Sequence, residues 1–588
     1  MEDQTSTNSP YFRLCPLTSK ITGGKSIPPA VRRYRVTRRR YVIARALICW
    51  FPAFFFFFSS FAQKKSVDMI LYNARIYTAD SSFSVKEALA VRSGRIVATG
   101  TSYEIRSAYK GRAVDAGKKA VFPGFIDGHA HFLGYGLSLR EVNLTGTKSW
   151  QEVIERVKAF ANGNDDPWII GRGWDQNDWS VKEFPDNSAL NKAFPGRAVI
   201  LNRIDGHAAI ANEHALKLAG IQAGQKVEGG EIGLAHGVLN GVLIDNAVRL
   251  VQSHIPVPGL AETGGALLAA QRNCFSVGLT TVADCGVDYP LVGLVDSLQK
   301  KGRLKMRLYL MLSDEPANYS FLFTRGAIKT ERLSVRSFKV YADGALGSRG
   351  ACLLEPYHDR PHERGFLLSD AKHFEEVARK IYEKGFQMCT HAIGDSANRE
   401  ILRIYGSVLN GKNDLRWRIE HAQVVSSKDF NQFGLNNVIP SVQPTHATSD
   451  MYWVEERLGR ARISNAYAYR KLKDQNGWLV LGTDFPVESI DPLLTFAAAT
   501  TRKDQNGYPK GGFHPENSLT REDALRGMTI WAARGNYEER EKGSLEPGKV
   551  ADFVMLDKDI MQVADQDLFH VRVVSTWLNG ELVYKSRR

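Results

Sequence analysis

The sequence F-I-D-G-H-A-H-F at residues 125–132 places two histidines at the end of an apolar run that is typical of a buried strand. Alternate side chains of a strand share one face, so the imidazoles of His129 and His131 should converge on one point. Neutral imidazole is the commonest protein ligand of zinc and related ions. An isolated H-x-H pair also occurs by chance or in polar loops, so this motif needs support from the rest of the chain.

Four further apolar runs carry a side chain that can bind a metal ion at or near their ends. They are S-F-K-V-Y-A-D-G with Lys339, F-Q-M-C-T-H-A-I-G-D with His391, W-R-I-E-H-A-Q-V-V with His421 and W-L-V-L-G-T-D-F-P with Asp484. Each run has the β-branched and aromatic content of a strand and is bounded by Gly or polar residues. A parallel barrel gathers the C-terminal ends of its strands on one face, where residues are typically catalytic. The repetition therefore predicts a barrel with a metal centre on that face.

The chain resembles the amidohydrolase superfamily, and within it the long-insertion branch called the amidohydrolase 3 family, over about residues 69–584. Besides the runs above, the matching stretches are N-R-I-D-G-H at 202–207, G-L-T-T-V-A-D at 278–284, Y-A-D-G-A-L-G-S-R-G at 341–350 and G-K-V-A-D-F-V-M-L-D at 548–557. The resemblance implies an α/β fold, a (β/α)8 TIM-like metallo-barrel with a small β-sandwich built from both ends of the body. It also places the H-x-H pair on the first strand and the other candidates on strands four, five, six and eight.

The same resemblance implies a cofactor of one or two divalent metal ions, with zinc as the expected metal. The implied ligands are His129, His131, Lys339, His391, His421 and Asp484. The first-strand histidines would hold one ion and the fifth- and sixth-strand histidines the other, with a carboxylated Lys339 and a hydroxide as bridges. Asp484 would ligate the first ion, accept the proton of the attacking water and pass it to the leaving amine. If Lys339 is not carboxylated, the site holds one ion and the lysine ammonium is expected to pair with Asp343.

Other polar residues are candidates for contacts with the substrate. His207 in R-I-D-G-H is a catalytic candidate because an imidazole can stabilise an oxyanion, although a structural pairing with Asp205 is an equal alternative. Arg349 suits a substrate carboxylate through its planar fork, with an interior salt bridge as the alternative. Three further candidates for the pocket wall, which could equally be loop and cap residues, are Trp174, Asp175 and His446.

The body divides by its turn signals and periodicity. Residues 67–119 alternate short β runs with Gly-rich turns, and residues 543–588 show the same pattern. Both ends are therefore predicted to form one β-sandwich. Residues 120–542 should contain the barrel. The stretch at about 132–278 is too long for one strand and helix, and only its part near A-V-I-L-N-R-I-D-G-H at 198–207 is predicted to be the second barrel strand. The excess is predicted to be an insertion over the catalytic face, which sets substrate choice in barrel enzymes.

Residues 1–66 form a basic leader with an apolar segment at about 41–62. The apolar core is 17 residues long, the short limit for a membrane-spanning helix. We predict a signal anchor whose basic end is cytosolic, with a cleaved signal peptide or an organelle transit peptide as alternatives. The predicted location is an endomembrane, either the endoplasmic reticulum or the perinuclear membrane. Secretion or release into a lumen after cleavage is the alternative.

The formal charge of +14 does not indicate a nucleic-acid-binding protein. Residues 1–67 hold twelve Lys or Arg and two acidic residues, so most of the excess lies in the leader. The body lacks a cationic stripe interleaved with aromatic residues. The predicted partners are a small-molecule amide substrate and, through the leader, a membrane. The sequence leaves open whether the protein forms a homo-oligomer.

Two functions follow from these observations. The first is a metal-dependent amidohydrolase that uses metal-activated water to cleave a non-peptide C–N bond in an amide, formamide, N-acyl amino acid or cyclic amide. The alternative rests on a second resemblance, to an individual plant protein, and not on a motif. It is a membrane-associated regulatory protein in far-red light (phytochrome) signalling with a secondary or vestigial hydrolase site. The complete ligand set favours the enzyme.

Overall fold

The computed structural model describes residues 63–587, and its central feature is a sheet of eight parallel strands. These strands are apolar and buried on both faces, as parallel strands in a barrel must be; Leu279–Val287 buries all but one of its residues. In spatial order the strands are Phe125–Ala130, Leu279–Val287, Arg307–Ser313, Leu333–Tyr341, Gln387–Ala392, Arg418–His421, Ile439–Val442 and Val480–Leu481. The predicted α/β class and TIM-like barrel are confirmed.

The barrel closes between its eighth and first strands at their C-terminal ends. The backbone N–H of Asp484 donates to the carbonyl of His129 at 2.8 Å, and that of His131 donates to the carbonyl of Phe485 at 2.9 Å. These two bonds fix the backbone of three predicted metal ligands relative to one another. Closure and the metal centre therefore depend on the same few residues.

Helices cover the outside of the barrel. In Ala371–Glu383, apolar residues from Phe374 to Ile381 recur at helical spacing and are buried, and Asp370 caps the first turn. The helices after the barrel strands are Phe132–Ser138, Leu260–Ser276, Pro290–Lys300, Pro316–Arg325, Ala371–Glu383, Asp395–Leu409, Phe430–Leu435, Pro444–Asp450, Val454–Leu458, Arg460–Ile463, Tyr469–Asn476, Pro492–Thr501, Arg521–Gly527 and Ile530–Gly535. Short 3₁₀ turns follow at Pro515–Asn517 and Asp565–His570.

A separate mixed sheet lies between the first and second barrel strands in sequence. Its strands, in spatial order, are Gly230–Ala235, Val238–Asp245, Ala208–Ala211, Ala198–Arg203, Trp168–Trp174 and Val142–Asn143. Its helices are Trp150–Ala161, Gln176–Asp178 (3₁₀), Ser188–Ala193, Glu213–Leu218 and Asn246–Gln252. We call these elements the insertion.

The prediction that residues near 198–207 form the second barrel strand was wrong. Ala198–Arg203 pairs with Trp168–Trp174 and Ala208–Ala211 inside the insertion, and the second barrel strand is Leu279–Val287, which pairs directly with the first. The physical reason is burial on both faces. Val199 and Leu201 pack in one apolar cluster of the insertion, and Ala198 and Ile200 pack in another. Such a strand has the same continuous apolar pattern as a barrel strand.

Strands from both ends of the described chain form two further sheets. One consists of Arg95–Gly100, Ala88–Arg92, Lys65–Tyr72 and Tyr109–Asp115, with helix Ser102–Ala108 beside it. The other consists of Glu581–Lys585, Val573–Leu578, Phe553–Leu556, Ala120–Pro123, Arg75–Tyr77 and Val85–Lys86. Their shared core joins Met69 and Leu89 to Phe553 and Trp577. A buried ion pair between Arg307 Nε and Asp552 Oδ2, 2.6 Å apart, links this unit to the barrel.

The predicted signal anchor at about 41–62 lies outside the described residues. Within residues 63–587, none of the helices has both the length and the apolar content that a membrane crossing requires. Membrane attachment through the leader therefore stays a prediction.

Candidate metal centre

The six predicted ligands meet at the C-terminal end of the barrel, beside a cavity of about 650 Å³. Five of them line the cavity, and His129 lies fully buried beneath its floor. Each lies at or near the C-terminal end of a barrel strand: the first for His129 and His131, the fourth for Lys339, the fifth for His391, the sixth for His421 and the eighth for Asp484. The fold thus brings together residues that are up to 355 positions apart in sequence.

Asp484 lies at the centre of this group. Its Oδ1 is 3.2 Å from Nε2 of His131 and 3.5 Å from Nε2 of His129. One ligand atom each of His129, His421 and Asp484 lie within 4.8 Å of one another, so these three could hold a metal ion. The ring of His391 is adjacent, with its centroid 4.5 Å from that of His421. The imidazoles and the carboxylate therefore surround a common volume.

Hydrogen bonds fix which nitrogen each first-strand histidine presents to that volume. Nδ1 of His129 is 2.5 Å from Oε2 of Glu420, and Nδ1 of His131 is 2.9 Å from the carbonyl oxygen of Cys285. Both partners accept hydrogen bonds, so both Nδ1 atoms donate and both Nε2 atoms are left with a free lone pair. Metal-binding histidines in proteins are usually oriented in this way.

Glu420, which the sequence analysis missed, belongs to a buried ion pair in the barrel interior. Nε of Arg418 is 2.7 Å from Oε1 of Glu420, and the same guanidinium donates to the carbonyl of Gly128 at 2.6 Å and to Ser441 Oγ at 2.7 Å. The spacing R-x-E in an otherwise apolar strand was the available signal, because residues two apart share a face. The pair holds the carboxylate that orients His129.

Burial sets the protonation states of the centre. Burial, with the charge of Lys339, lowers the pKa of His129 to about 4, and burial holds the pKa values of His391 and His421 well below their usual value. Burial alone would raise the pKa of Asp484, but the imidazoles of His129 and His131 outweigh it and keep that pKa well below its usual value. Neutral imidazoles and an ionised carboxylate are the forms that bind divalent ions.

Three atoms of the group are suited to a bound cation. Nε2 of His391, Nδ1 of His421 and Oδ1 of Asp484 are buried and have no hydrogen-bond partner within the described residues. An unsatisfied buried polar atom costs about 1–3 kcal/mol. A divalent ion would satisfy these lone pairs, and imidazole with carboxylate suits zinc and its neighbours. The residues present therefore fit a metal ion.

Lys339 is buried beside the histidines, with Nζ 3.3 Å from Nε2 of His129. Burial alone would lower its pKa, but the surrounding negative groups, among them Glu420 and Asp484, outweigh burial and raise it. The alternative pairing with Asp343 is wrong, because that carboxylate instead accepts the backbone N–H groups of Ile393, Gly394 and Cys352. Lys339 therefore faces the ligand group.

His207 reaches the cavity from the insertion. Its Nδ1 is 2.6 Å from Oδ1 of Asp245, and its ring centroid is 4.9 Å from that of His391. Burial alone would lower the pKa of His207, but the hydrogen bond to Asp245 outweighs it and raises the pKa. Asp205, the partner considered from the sequence, accepts only the backbone N–H of His207 and pairs with Arg203. The partner of the imidazole is Asp245, which the sequence analysis could not identify because it lies 38 positions away in the sequence.

The other substrate-contact candidates divide into two groups. Asp175 and His446 line the cavity; Asp175 pairs with Arg203, and Nε2 of His446 is 3.6 Å from Oδ2 of Asp484. Trp174 does not line it, because its side chain lies in the insertion core and its indole N–H donates to the carbonyl of Leu201.

Arg349 also lies away from the cavity wall. Its Nη2 is 2.7 Å from Oδ2 of Asp359, which pairs with Arg457 as well. Of the two alternatives for Arg349, the interior salt bridge is the arrangement found. The cavity wall also contains Arg203 and Tyr341 from the matching stretches, and charged residues that no quoted stretch contains: Glu141, Arg172, Asp178, Asp450 and Glu488. They lie in the insertion or just beyond barrel strands, where spacing gives no signal.

Comparison with known proteins agrees with this geometry. The Amidohydrolase family profile matches residues 112–584. The protein Long After Far-Red 3 of Arabidopsis thaliana is 34% identical over 543 residues, which are 88% of this chain and 91% of the relative. N-substituted formamide deformylase of Arthrobacter pascens is 26% identical, with 88% of this chain and 98% of the relative covered.

Among solved structures, an uncharacterized metal-dependent hydrolase from Pyrococcus horikoshii is similar to this chain with a TM-score of 0.70 and 27% identity. The match covers 84% of this chain and 99% of the other. A second such hydrolase, from Pyrococcus furiosus, has a TM-score of 0.66 at 27% identity and covers 84% of this chain and 100% of the other. The family profile, which matches residues 112–584, spans both the long insertion and the barrel.

Proposed function

This chain belongs to the amidohydrolase family, and we propose that it hydrolyses a non-peptide carbon–nitrogen bond of a small amide with a divalent metal ion at the barrel centre. The observation that carries the proposal is the convergence, beside a cavity of about 650 Å³, of buried imidazole and carboxylate atoms that have no hydrogen-bond partner in residues 63–587. The name of the deformylase relative and the descriptions of the Pyrococcus structures support amide chemistry and a metal.

The ligand roles follow from position. The first-strand histidines and Asp484 would hold one ion, and His391 and His421 a second, with Lys339 as a bridge if its amine is carboxylated. When bound, a divalent ion would lower the pKa of a bound water to about 7 and polarise the substrate carbonyl. Zinc suits a site with several imidazoles and a carboxylate. Because the anions around Lys339 favour its ammonium form, carboxylation requires cations beside it.

The side chains of this protein would move the protons. The Asp484 carboxylate accepts the proton of the attacking water and delivers it to the leaving amine, since its two oxygens face the first-strand histidines and His446. The bond to the carbonyl carbon forms from the water oxygen, and the C–N bond breaks as the amine takes that proton. The products are a carboxylic acid and an amine.

His207 would stabilise the negative charge that develops on the carbonyl oxygen. Its Nδ1 donates to the buried carboxylate of Asp245, which raises the pKa of His207 and favours the imidazolium, so its Nε2 also carries a proton and can donate. A donor fixed in advance at a developing oxyanion is worth about 10²–10³-fold in turnover. The insertion thus supplies part of the proposed catalytic group and covers the site.

A regulatory function is the second candidate, and the similarity to Long After Far-Red 3 is what favours it. The name of that relative refers to far-red light, and attachment to an endomembrane through the leader would suit such a role. The two proposals make different demands on the site, since a regulatory protein does not need turnover.

The test is hydrolysis of an amide panel by the purified full-length protein loaded with zinc. The panel contains formamides, acetamides, N-acyl amino acids and cyclic amides, and amine release is measured. We expect turnover of at least one class, abolished in His421→Ala. Protein with bound zinc that cleaves none of them would reject the enzyme and favour the regulatory role.

A further inference from the structure

Three carboxylates line one region of the cavity wall away from the barrel floor. They are Asp178 in the insertion, Asp450 at the end of helix Pro444–Asp450, and Glu488 in the segment after Asp484. We call these three residues the acidic wall. They come from three different parts of the chain, so the fold gathers them and local sequence does not.

The acidic wall has no basic partner within the described residues. Asp450 accepts hydrogen bonds only from Tyr467 Oη at 2.6 Å and Gln423 Nε2 at 3.3 Å, and Glu488 accepts one from Ser449 Oγ at 2.6 Å. Asp178 has neither a side-chain hydrogen bond nor an ion pair in residues 63–587. Arg203, which also lines the cavity, already pairs with Asp175 and Asp205.

The three carboxylates also repel one another and their neighbours. Burial raises the pKa of Asp450 to about 7 and raises that of Glu488, where the charges of Asp484 and Asp178 add to the effect. Asp178 is the most exposed of the three, and partial desolvation with the charge of Asp175 raises its pKa. Each would therefore be stabilised by a cation placed between them.

His446 gives an independent indication of a ligand at the same place. This histidine is 8% exposed and lines the cavity, and its buried Nε2 has no hydrogen-bond partner in the part of the chain that the structure describes. Its Nε2 is 3.6 Å from Oδ2 of Asp484, and the residue lines the same cavity as Asp450 and Glu488. The indole of Trp453 lines the cavity too, and an aromatic face attracts cations.

We propose that the substrate is an amide that carries a second, positively charged amino group, which Glu488, Asp450 and Asp178 bind while the amide lies beside Asp484. This inference rests on the proposed function. The competing ligand is a carboxylate bound by Arg172, which lines the cavity and, among the described residues, donates to the carbonyl of Ile204 alone. Glu141, Asp205 and Asp484 surround Arg172 with negative charge, and this disfavours an anionic substrate there.

The experiment compares three matched series of acetamides with the full-length, zinc-loaded protein. The series are N-acetyl diamines of graded chain length, N-acetyl alkylamines with a methyl group in place of the ammonium, and N-acetyl amino acids with a carboxylate there. Titration calorimetry measures binding, and amine release measures turnover. We expect the best diamine derivative to bind about tenfold or more tightly than its methyl counterpart, the effect of a partly buried charge pair.

Glu488→Gln and Asp450→Asn should each remove most of that preference, since both changes keep size and remove charge. The control is Glu155→Gln on the exposed face of the insertion, where the carboxylate accepts a hydrogen bond from Gln151. This change should leave the preference intact. Thermal melting confirms that each variant folds. Equal binding of ammonium and methyl derivatives, or tighter binding of the carboxylates, would overturn the inference. Ammonium preference without hydrolysis of any series would reject the proposed function and leave the cation site standing.

Discussion

At the scale of single residues, Asp484 joins metal binding to proton transfer. Asp484→Asn keeps the size and one coordinating oxygen but cannot accept a proton from water at neutral pH. We predict that turnover falls by about a hundredfold to ten-thousandfold, the usual contribution of a general acid–base group, while zinc content stays mostly unchanged. Amide hydrolysis and elemental analysis of the same preparation check this. A variant that loses zinc and activity in equal proportion would show that Asp484 serves only as a ligand.

Glu420 acts one step further from the metal, through the imidazole of His129. Glu420→Gln keeps the shape of the side chain but loses the charge that fixes the Nδ1–H tautomer, so we predict that zinc affinity falls about 10–100-fold. Competition with a chelator measures the affinity. Glu538→Gln is the matched control, because Glu538 is equally buried but pairs with Lys542, 2.9 Å away. Unchanged zinc affinity in Glu420→Gln would contradict the orienting role.

The backbone of two ligands explains why their exact placement could not be predicted. His421 has φ 72° and Asp484 has φ 63°, in the left-handed region that favours glycine. Spacing predicted that each would follow a strand, and the structure brings both to the centre. Nothing in local propensity indicates these dihedral angles, which the surrounding fold imposes.

At the scale of elements, glycines let the insertion approach the barrel. A Cβ at Gly344 or at Gly350 would lie 2.3 Å from Oδ2 of Asp245, and one at Gly347 would lie 3.0 Å from Nη2 of Arg203. The stretch Y-A-D-G-A-L-G-S-R-G after the fourth barrel strand is therefore shaped by residues of the insertion. The glycines give Asp245 the room it needs to hold His207.

Gly344→Ala should displace Asp245 and misdirect His207. We predict that it lowers turnover about 10²-fold or more with zinc binding retained, because an oxyanion donor is lost, and that Asp245→Asn has an effect in the same direction. Steady-state kinetics on a cleaved amide provide the measurement. Gly293→Ala is the matched control, since a Cβ there meets nothing within 4 Å. Full activity in Gly344→Ala would show that the insertion does not contribute to catalysis through Asp245 and His207.

The elements also show which features of the fold sequence patterns can predict. Barrel strands that end in a ligand were predictable, because a buried run and a metal-binding side chain are two signals at one place. Ala198–Arg203 was assigned to the barrel because burial on both faces gives the same pattern in either sheet. Arg349 was a candidate for substrate because its ion partners, Asp359 and through it Arg457, depend on packing that local sequence does not show.

At the scale of the whole molecule, the described residues 63–587 belong to one compact unit. Strand Lys65–Tyr72 begins just after the leader, and Lys64 Nζ donates to the carbonyl of Arg106. We predict that a chain beginning at Gln63 is soluble and binds zinc like the full chain, whereas the full chain sediments with membranes. Fractionation and elemental analysis check both parts. Recovery of the full chain, leader intact, in the soluble fraction would contradict the anchor.

The most direct test of a metal-dependent hydrolase is removal and return of the metal in the full-length protein. The protein is stripped with a chelator, and hydrolysis of the best amide from the panel is then followed while zinc is added back. We predict that activity disappears with the metal and returns in proportion to the zinc bound, and that His129→Ala and His131→Ala neither bind a full complement nor recover. Full activity in the metal-free protein, or in either histidine variant, would contradict a metal-dependent hydrolase.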